Sequence, residues 1–165
     1  WELINLANKH PRVNILQPGA GVGGHCIAVD PYFILFDYSN ESKLINTARL
    51  VNSYKPIWCI EKIKNEILNF QLKHERKPVI SLLGLSFKPN IDDLRESPAV
   101  QIAREIKNIY PENLIYFVEP NIQEHHFFEI TTLDEALIKS DLFFKLVNHK
   151  EFSTIKKSNL ITFVD

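Results

Sequence analysis

The chain has 165 residues, 45% of them apolar, with 19 basic against 20 acidic side chains. That length suits one ordinary domain or two small ones around a sizeable core, and the balanced charge gives no general steering toward nucleic acid or acidic membrane, leaving only a local patch open. No apolar run approaches the roughly 18 residues of a membrane span, and the opening WELINLANKHPR lacks the basic-then-apolar layout of a secretory signal.

The first 75 residues read as helical with one irregular loop. Leu3, Leu6 and Ala7 share a helical face before Pro11 stops the pattern. Residues 12–38 carry a glycine-rich loop. From Ser42 the positions Leu44, Ile45, Ala48, Val51 and Asn52 keep a helical period, which resumes after Pro56 through Ile57, Ile60, Ile63, Ile67 and Leu68. Pro56 therefore kinks one long helix or separates two. About 30 helical residues would reach roughly 45 Å, enough to bridge two lobes. The polar KHERKP at Lys73–Pro78 marks a boundary, dividing the chain into 1–75 and 76–165.

Beyond it the rhythm becomes strand, helix, strand. Val79–Leu85 reads as a buried strand. Ser97 and Pro98 open a helix through AVQIAREIKN, and Leu114–Val118 is a second strand. Thr132 caps a short helix over Leu133–Lys139, Leu142–Val147 is a third strand, Glu151–Lys157 a short helix and Leu160–Val164 a fourth strand. This alternation implies an α/β unit, a mostly parallel sheet covered on both faces, with ligands at the carboxyl ends of its strands. Lys145 stands in an otherwise apolar strand. Buried centrally and unpaired it would cost several kcal/mol, so it is expected near an edge or pointing outward.

Two stretches carry chemistry. In QPGAGVGGHCIAVDP, Gln17–Pro31, the glycines Gly19, Gly21 and Gly24 fit the G-x-G-x-x-G of a dinucleotide turn. Such a turn needs a feeding strand and a long exit helix. Here Pro18 precedes the first glycine and Pro31 follows soon after, so the spacing is read as a decoy. The glycines instead remove Cβ bulk around Cys26 and free amide N–H groups to donate. Cys26 is the candidate nucleophile, against a packing role. Asp30 shares its face if one helical turn follows it, although Pro31 disfavours helical geometry at Asp30. His25, adjacent in sequence, is a doubtful base for it. Cys59 lies in an apolar helical stretch and reads as core. Two cysteines are too few for a disulfide scaffold, which favours a reduced, cytoplasmic setting. His125 and His126 lack ligand partners at metal-site spacing, so no metal is expected.

The second stretch, GLSFKPNIDDLRESP at Gly84–Pro98, follows the first strand of the α/β unit. Lys88 and Arg95 would hold phosphate there, or belong to a solvated loop with an ion pair to Asp92, Asp93 or Glu96.

Taken in order, PGAGVGGHCIAVDPYF and GLSFKPNIDDLRESPA resemble the UDP-glucose/GDP-mannose dehydrogenase family. The HPRVNILQPG approach and the His before the cysteine are most similar to its branch acting on UDP-N-acetyl-D-mannosamine. The resemblance extends over nearly the whole chain, to SDLFFKLVNHKEF. It implies a helical middle-domain segment with a long connecting helix, then a Rossmann-like, three-layer α/β/α domain that binds UDP. It also implies oxidation of a sugar C6 alcohol to a carboxylate with two NAD+ per turnover, supplying a uronic acid sugar for surface polysaccharide.

By motif matching, Cys26 would attack the C6 aldehyde and Asp30 would position or activate water. Gly23, Phe87 and Lys88 would contact the UDP-sugar and Arg95 the NAD. His10 and Arg12 match a stretch that touches substrate across a dimer interface, and the helix at about 42–73 would form part of a homodimer core. Val29 stands where the UDP-glucose branch has a lysine, which argues against that substrate and keeps UDP-N-acetylglucosamine as the alternative sugar. Ala20 replaces a usual proline, and Lys145 a usual aliphatic residue. The start at Trp1 and the lack of methionine lead us to expect a fragment without the family's NAD domain, and a chain inactive by itself. The competing classes are a non-catalytic nucleotide-sugar-binding or dimerisation module and a cysteine hydrolase built on Cys26.

Overall fold

The structure is a computed structural model and describes residues 1–156 and 158–163. Helix α1 (Glu2–Ala7) leads into the glycine loop, and α2 (Asp30–Asp37) leaves it. Helix α3 (Lys43–His74) follows and runs unbroken for 32 residues, about 48 Å. Of the two options at Pro56, the single helix is realised, with the proline buried inside it.

Burial divides α3 at that proline. Cys59, Ile60, Ile63 and Ile67 form its buried stripe, whereas Leu44, Leu50, Val51 and Tyr54 are exposed. Leu3, Leu6 and Phe36 of α1 and α2 are exposed too. The helix ends at Glu75 in the left-handed region, with φ 54°, a C-terminal geometry usual for glycine and strained for a glutamate.

The α/β unit runs β1 (Ile80–Leu83), α4 (Pro98–Ile109), a 3₁₀ turn at Glu112–Leu114, β2 (Ile115–Val118), α5 (Leu133–Lys139), β3 (Leu142–Lys145), a 3₁₀ turn at Lys150–Phe152 and β4 (Leu160–Thr162). All pairings are parallel, in the order β2-β1-β3-β4. Ile80, Leu82, Phe117, Leu142 and Phe144 pack into the cluster that holds α3 and α4. Leu83, Val118 and Phe143 face the other way, with Ala136 of α5 and Phe152. This is the alternation required of strands covered on both faces. Ser97 caps α4, accepting from the Val100 N–H and donating its hydroxyl to the Leu85 carbonyl at 2.6 Å. Thr132 caps α5.

Three sequence expectations need adjustment. β1 and β3 end sooner than expected, because Gly84–Leu85 and Leu146–Val147 have already turned into the loops, whereas β2 ends at Val118 as expected. The helix expected over 151–157 is a 3₁₀ turn at Lys150–Phe152; Lys157 and Val164 lie outside the described residues. Lys145 is not near a sheet edge, since β3 sits between β1 and β4. It escapes full burial by being the last residue of its strand, and its Nζ donates to Asn148 Oδ1 at 3.0 Å.

Chain order and strand order disagree at one place. From β1 the chain passes through α4 to β2 on one side, then returns through α5 to β3 on the other. The crevice between the carboxyl ends of β1 and β3 is the switch point where open α/β sheets bind ligands.

Candidate functional site

The glycine loop packs directly on the stretch that leaves β1. Gly24 N–H donates to the Arg95 carbonyl at 3.2 Å. Gly24 has φ +92°, and a Cβ there would stand 2.8 Å from the Phe87 ring. A Cβ on Gly23 would collide with the Glu96 carbonyl oxygen and stand 2.7 Å from Pro98 Cδ. These two glycines are needed because another backbone and an aromatic ring occupy the space a side chain would take. No strand feeds the loop, so its G-x-G-x-x-G spacing serves loop contact and not a dinucleotide turn.

Asn52 of α3 holds the loop from the opposite side. Its Oδ1 accepts the Val22 N–H at 2.8 Å and its Nδ2 donates to the Val22 carbonyl at 3.0 Å. Sequence periodicity gave Asn52 only a place on a helical face. A polar residue within an apolar stripe, thirty residues from a glycine loop, was the available signal.

Cys26 is exposed and Cys59 buried. Burial pushes the Cys59 thiol up to about 11, which keeps it protonated and inert. After Cys26 the chain turns helically: the Val29 and Asp30 N–H groups both donate to the Cys26 carbonyl, at 2.9 and 2.8 Å. The expectation that Pro31 would keep Asp30 out of helical geometry does not hold. Asp30 is the first residue of α2 and Pro31 sits in that first turn, where its missing N–H costs no hydrogen bond. Asp30 thus follows Cys26 by one turn, on the same face. Tyr32 ties α2 to α3. The Arg49 guanidinium lies 5.2 Å from its ring centroid, and hydrogen bonds from Arg49 and Ser53 draw its phenol below the usual range.

His25 turns away from Cys26. Its Nδ1 lies 3.9 Å from Asp93 Oδ2 and its ring meets Phe87 edge-on. Among the described residues, no histidine bonds the Cys26 thiol, so the nucleophile–base pair of a cysteine hydrolase is missing.

Arg95 is exposed and forms the ion pair to Asp93, through Nε at 3.0 Å and Nη2 at 2.6 Å. That partner holds the Asp93 carboxyl down to about 2 and raises Arg95, and Cys26 adds a smaller Coulombic attraction to Arg95. The cation is therefore oriented and within electrostatic reach of the thiol. Lys88 is exposed, with its Nζ 5.6 Å from the Phe87 ring centroid. Val22, Ala28, Tyr32, Arg95 and Pro98 border a cleft of about 1130 Å³ beside the loop. His10 and Arg12 are exposed and bond only locally, the Arg12 N–H donating to His10 Nδ1 at 3.2 Å; the structure does not bring them to Cys26.

A buried polar cluster joins the strand ends. Glu119, just past β2, is 2% exposed, Ser86 1% and His149 0%. Glu119 Oε2 accepts from the Leu85 and Ser86 N–H groups at 2.7 and 3.0 Å and lies 3.1 Å from His149 Nε2. Its Oε1 accepts from the Asn121 backbone and side-chain amides, both at 3.1 Å. Burial alone would raise this carboxyl. The bonds from His149, Leu85 and Asn121 outweigh that and hold it at about 2. His149 Nδ1 accepts the Asn90 N–H at 2.9 Å, so the ring proton is on Nε2, facing Glu119. Ser86 Oγ also approaches Nε2, at 3.3 Å. Hydroxyl and carboxylate thus share one ring nitrogen, which is not the arrangement of a catalytic triad. None of these residues was a candidate from sequence, where Glu119 and His149 looked like ordinary loop polars.

Comparison with known proteins finds matches in both parts of the chain. Residues 81–164 match the UDP binding domain, and residues 1–54 the central domain, of the UDP-glucose/GDP-mannose dehydrogenase family. A UDP-N-acetyl-D-mannosamine dehydrogenase of Campylobacter jejuni is 48% identical over 99% of this chain and 40% of its own length. That of Escherichia coli K12 is 47% identical, over 97% of this chain and 40% of its own. The chain thus spans about two fifths of these curated relatives. Among solved structures, the UDP-N-acetyl-mannosamine dehydrogenase Cap5O of Staphylococcus aureus aligns with a TM-score of 0.68 and 37% identity, over 96% of this chain and 37% of its own. The UDP-D-ManNAc dehydrogenase of Pyrococcus horikoshii aligns with a TM-score of 0.70 and 30% identity, over 98% and 38%.

The Glu119 cluster predicts an acid response. Because its carboxyl is depressed in the fold, the stabilisation is present above the unfolded value of 4.5 and lost as pH falls toward 2. The span corresponds to roughly 3 kcal/mol at most. Denaturant titrations at pH 6 and pH 3 are expected to show Glu119→Gln destabilised at pH 6 and with a smaller loss between the two pH values than the unsubstituted protein. An equal loss in both would remove Glu119 as the cause.

Proposed function

Because the chain belongs to the UDP-glucose/GDP-mannose dehydrogenase family, we propose that it is the catalytic-cysteine segment (1–75) and UDP-sugar-binding domain (76–165) of a cytoplasmic, NAD-dependent UDP-N-acetyl-D-mannosamine 6-dehydrogenase. Its product would be a uronic acid sugar for surface polysaccharide. The observation that carries this reading is the direct packing of the Cys26 loop onto Phe87 and Arg95–Pro98. It sets an exposed thiol beside the carboxyl ends of a parallel sheet. The identity to relatives named for this sugar supports the choice of substrate.

The overall reaction is RCH2OH + 2 NAD+ + H2O → RCOO− + 2 NADH + 3 H+. Bound NAD+ supplies the hydride acceptor for both oxidations. Arg95, exposed, oriented by Asp93 and close to Cys26, fits the anionic diphosphate of that cofactor. Phe87 and Lys88 offer an aromatic edge and a cation to the nucleotide sugar, and Gly23 lets the loop close onto Glu96 and Pro98 beside them.

After the first oxidation, the Cys26 thiolate adds to the C6 aldehyde carbon, and the carbonyl oxygen takes up a proton to become the hydroxyl of a thiohemiacetal. Loss of hydride and a proton from that adduct leaves a thioester on Cys26. Asp30, one helical turn away, holds the water that attacks the thioester carbon; the C–S bond breaks and the thiolate is regenerated. Covalent capture keeps the reactive aldehyde in the site between the two oxidations.

Apolar residues exposed on α2 and the first half of α3 support a homodimer. Phe36 is 89% exposed, Leu44 83% and Val51 66%, and exposed large apolar side chains grouped on two neighbouring helices are the kind of surface that a partner covers. His10 and Arg12, exposed and bonded only to near neighbours in sequence, would then serve the partner's site.

Two outcomes follow for the full-length protein. With UDP-N-acetylmannosamine, Cys26→Ala is expected to lower acid formation at least 10³-fold while UDP binding persists, read by coupled NADH absorbance and calorimetry. Acid formation at the original rate by the variant would exclude the covalent route. For assembly, sedimentation velocity is expected to show a dimer that Phe36→Glu with Val51→Glu converts to monomer; an unchanged dimer would move the interface elsewhere.

A further inference from the structure

We propose that His149 is a positioning residue that sets the shape of the turn carrying Phe87 and Lys88, and through it the affinity for the nucleotide part of the substrate. The inference rests on the reading of that turn as a UDP-sugar contact, and it concerns a residue that touches neither substrate nor cofactor.

The turn leaves β1 at Gly84 and is exposed from Lys88 to Asn90. Beyond Ser86, whose N–H donates to Glu119, a loop with Phe87, Lys88 and Pro89 at its tip would be held only where the Phe87 N–H donates to the Asp93 carbonyl, at 3.0 Å. His149, from the loop after β3, supplies the other fixed points. Its Nδ1 accepts the Asn90 N–H and its Nε2 faces Ser86 Oγ, so one ring spans both ends of residues 86–90. Ser86 Oγ donates in turn to the Lys88 carbonyl at 2.7 Å. Asn90, at φ +62°, returns its Oδ1 to the Lys150 N–H at 2.9 Å. The strained φ of Asn90 persists because both its backbone and its side chain are held by the neighbouring loop.

The ring itself cannot adapt. It is fully buried, meets Phe152 edge-on at 5.4 Å, and has its tautomer fixed by Glu119. Glu119 is in turn fixed by N–H groups from the loops after β1 and β2. The chain of bonds therefore runs from the rigid sheet to the turn, and the crevice it crosses is the switch point. A loop that must meet a ligand from one side gains affinity when its bound shape is already set.

The two ring nitrogens make this testable, because amides replace them separately. An Asn at 149 can place its Oδ1 where Nδ1 accepts from Asn90, without reaching Glu119. A Gln can place its Nε2 where the ring donates to Glu119, without the acceptor for Asn90. In the full-length protein we expect His149→Gln to raise KM for UDP-N-acetylmannosamine, and Kd for UDP alone, about 10-fold. The kcat and the KM for NAD should stay within about 2-fold of the original. His149→Asn should recover most of the UDP affinity, even if its melting temperature is the lower of the two.

Equal effects of the two variants, or effects tracking melting temperature, would reduce His149 to a packing residue and overturn the proposal. If His149→Gln does not fold, Ser86→Ala decides the matter. It removes the hydroxyl that stands between the ring's Nε2 and the Lys88 carbonyl, so a UDP affinity unchanged in Ser86→Ala would also overturn the proposal. Failure of the underlying reading looks different: the unsubstituted protein would then bind no UDP at all.

Discussion

A carboxylate with no access to water sits at the centre of the strand ends, and the site is arranged around satisfying it. Removing Glu119 from solvent is unfavourable unless each oxygen receives donors. Those donors come from three places: the first residues past β1, Asn121 past β2, and the ring of His149 past β3. The requirement to bond one charge thus fixes three loops relative to one another. A neutral residue of similar size would pack there, but it would impose no such registry.

The second constraint is steric. Gly23 and Gly24 approach Glu96, Pro98 and Phe87 more closely than any side chain allows, so the cysteine loop is positioned by contact with the α/β unit, with Asn52 holding it from α3. Three separate stretches of sequence, at 22–24, 52 and 87–98, therefore meet at one place. Cys26 emerges from this contact with its thiol outside and its carbonyl engaged by the next helical turn. Its backbone is held on both sides, by the Gly24 N–H bond to the Arg95 carbonyl before it and by the Val29 and Asp30 N–H bonds to its own carbonyl after it.

How much of this could be read from the sequence depends on whether local pattern or distant contact sets each feature. The caps at Ser97 and Thr132, the parallel sheet and the end of the long helix near Glu75 follow from residues a few positions apart, and they were legible. The cluster was not, because Ser86, His149 and the Glu119–Asn121 pair sit 28 to 63 positions apart and each looks like a loop polar on its own. Asp30 was misjudged for a related reason. The proline rule weighs Pro31 against a helical Asp30, but here the turn anchored on the Cys26 carbonyl sets the local geometry. Lys145 lies on an internal strand that ends two residues before the apolar run does, and of the two expected escapes from burial, an edge position or an outward side chain, it takes the second.

The contrast between the two thiols has a practical consequence. Cys26 is open to solvent, whereas Cys59 is enclosed between α3 and α4 and pushed well above neutral pH in its ionisation. A thiol-specific dye applied to the native protein therefore reports on one position, beside the cleft. Uptake of a second equivalent requires α3 to separate from α4, so the rate of that slower labelling is a clock for opening of the core that anchors the long helix.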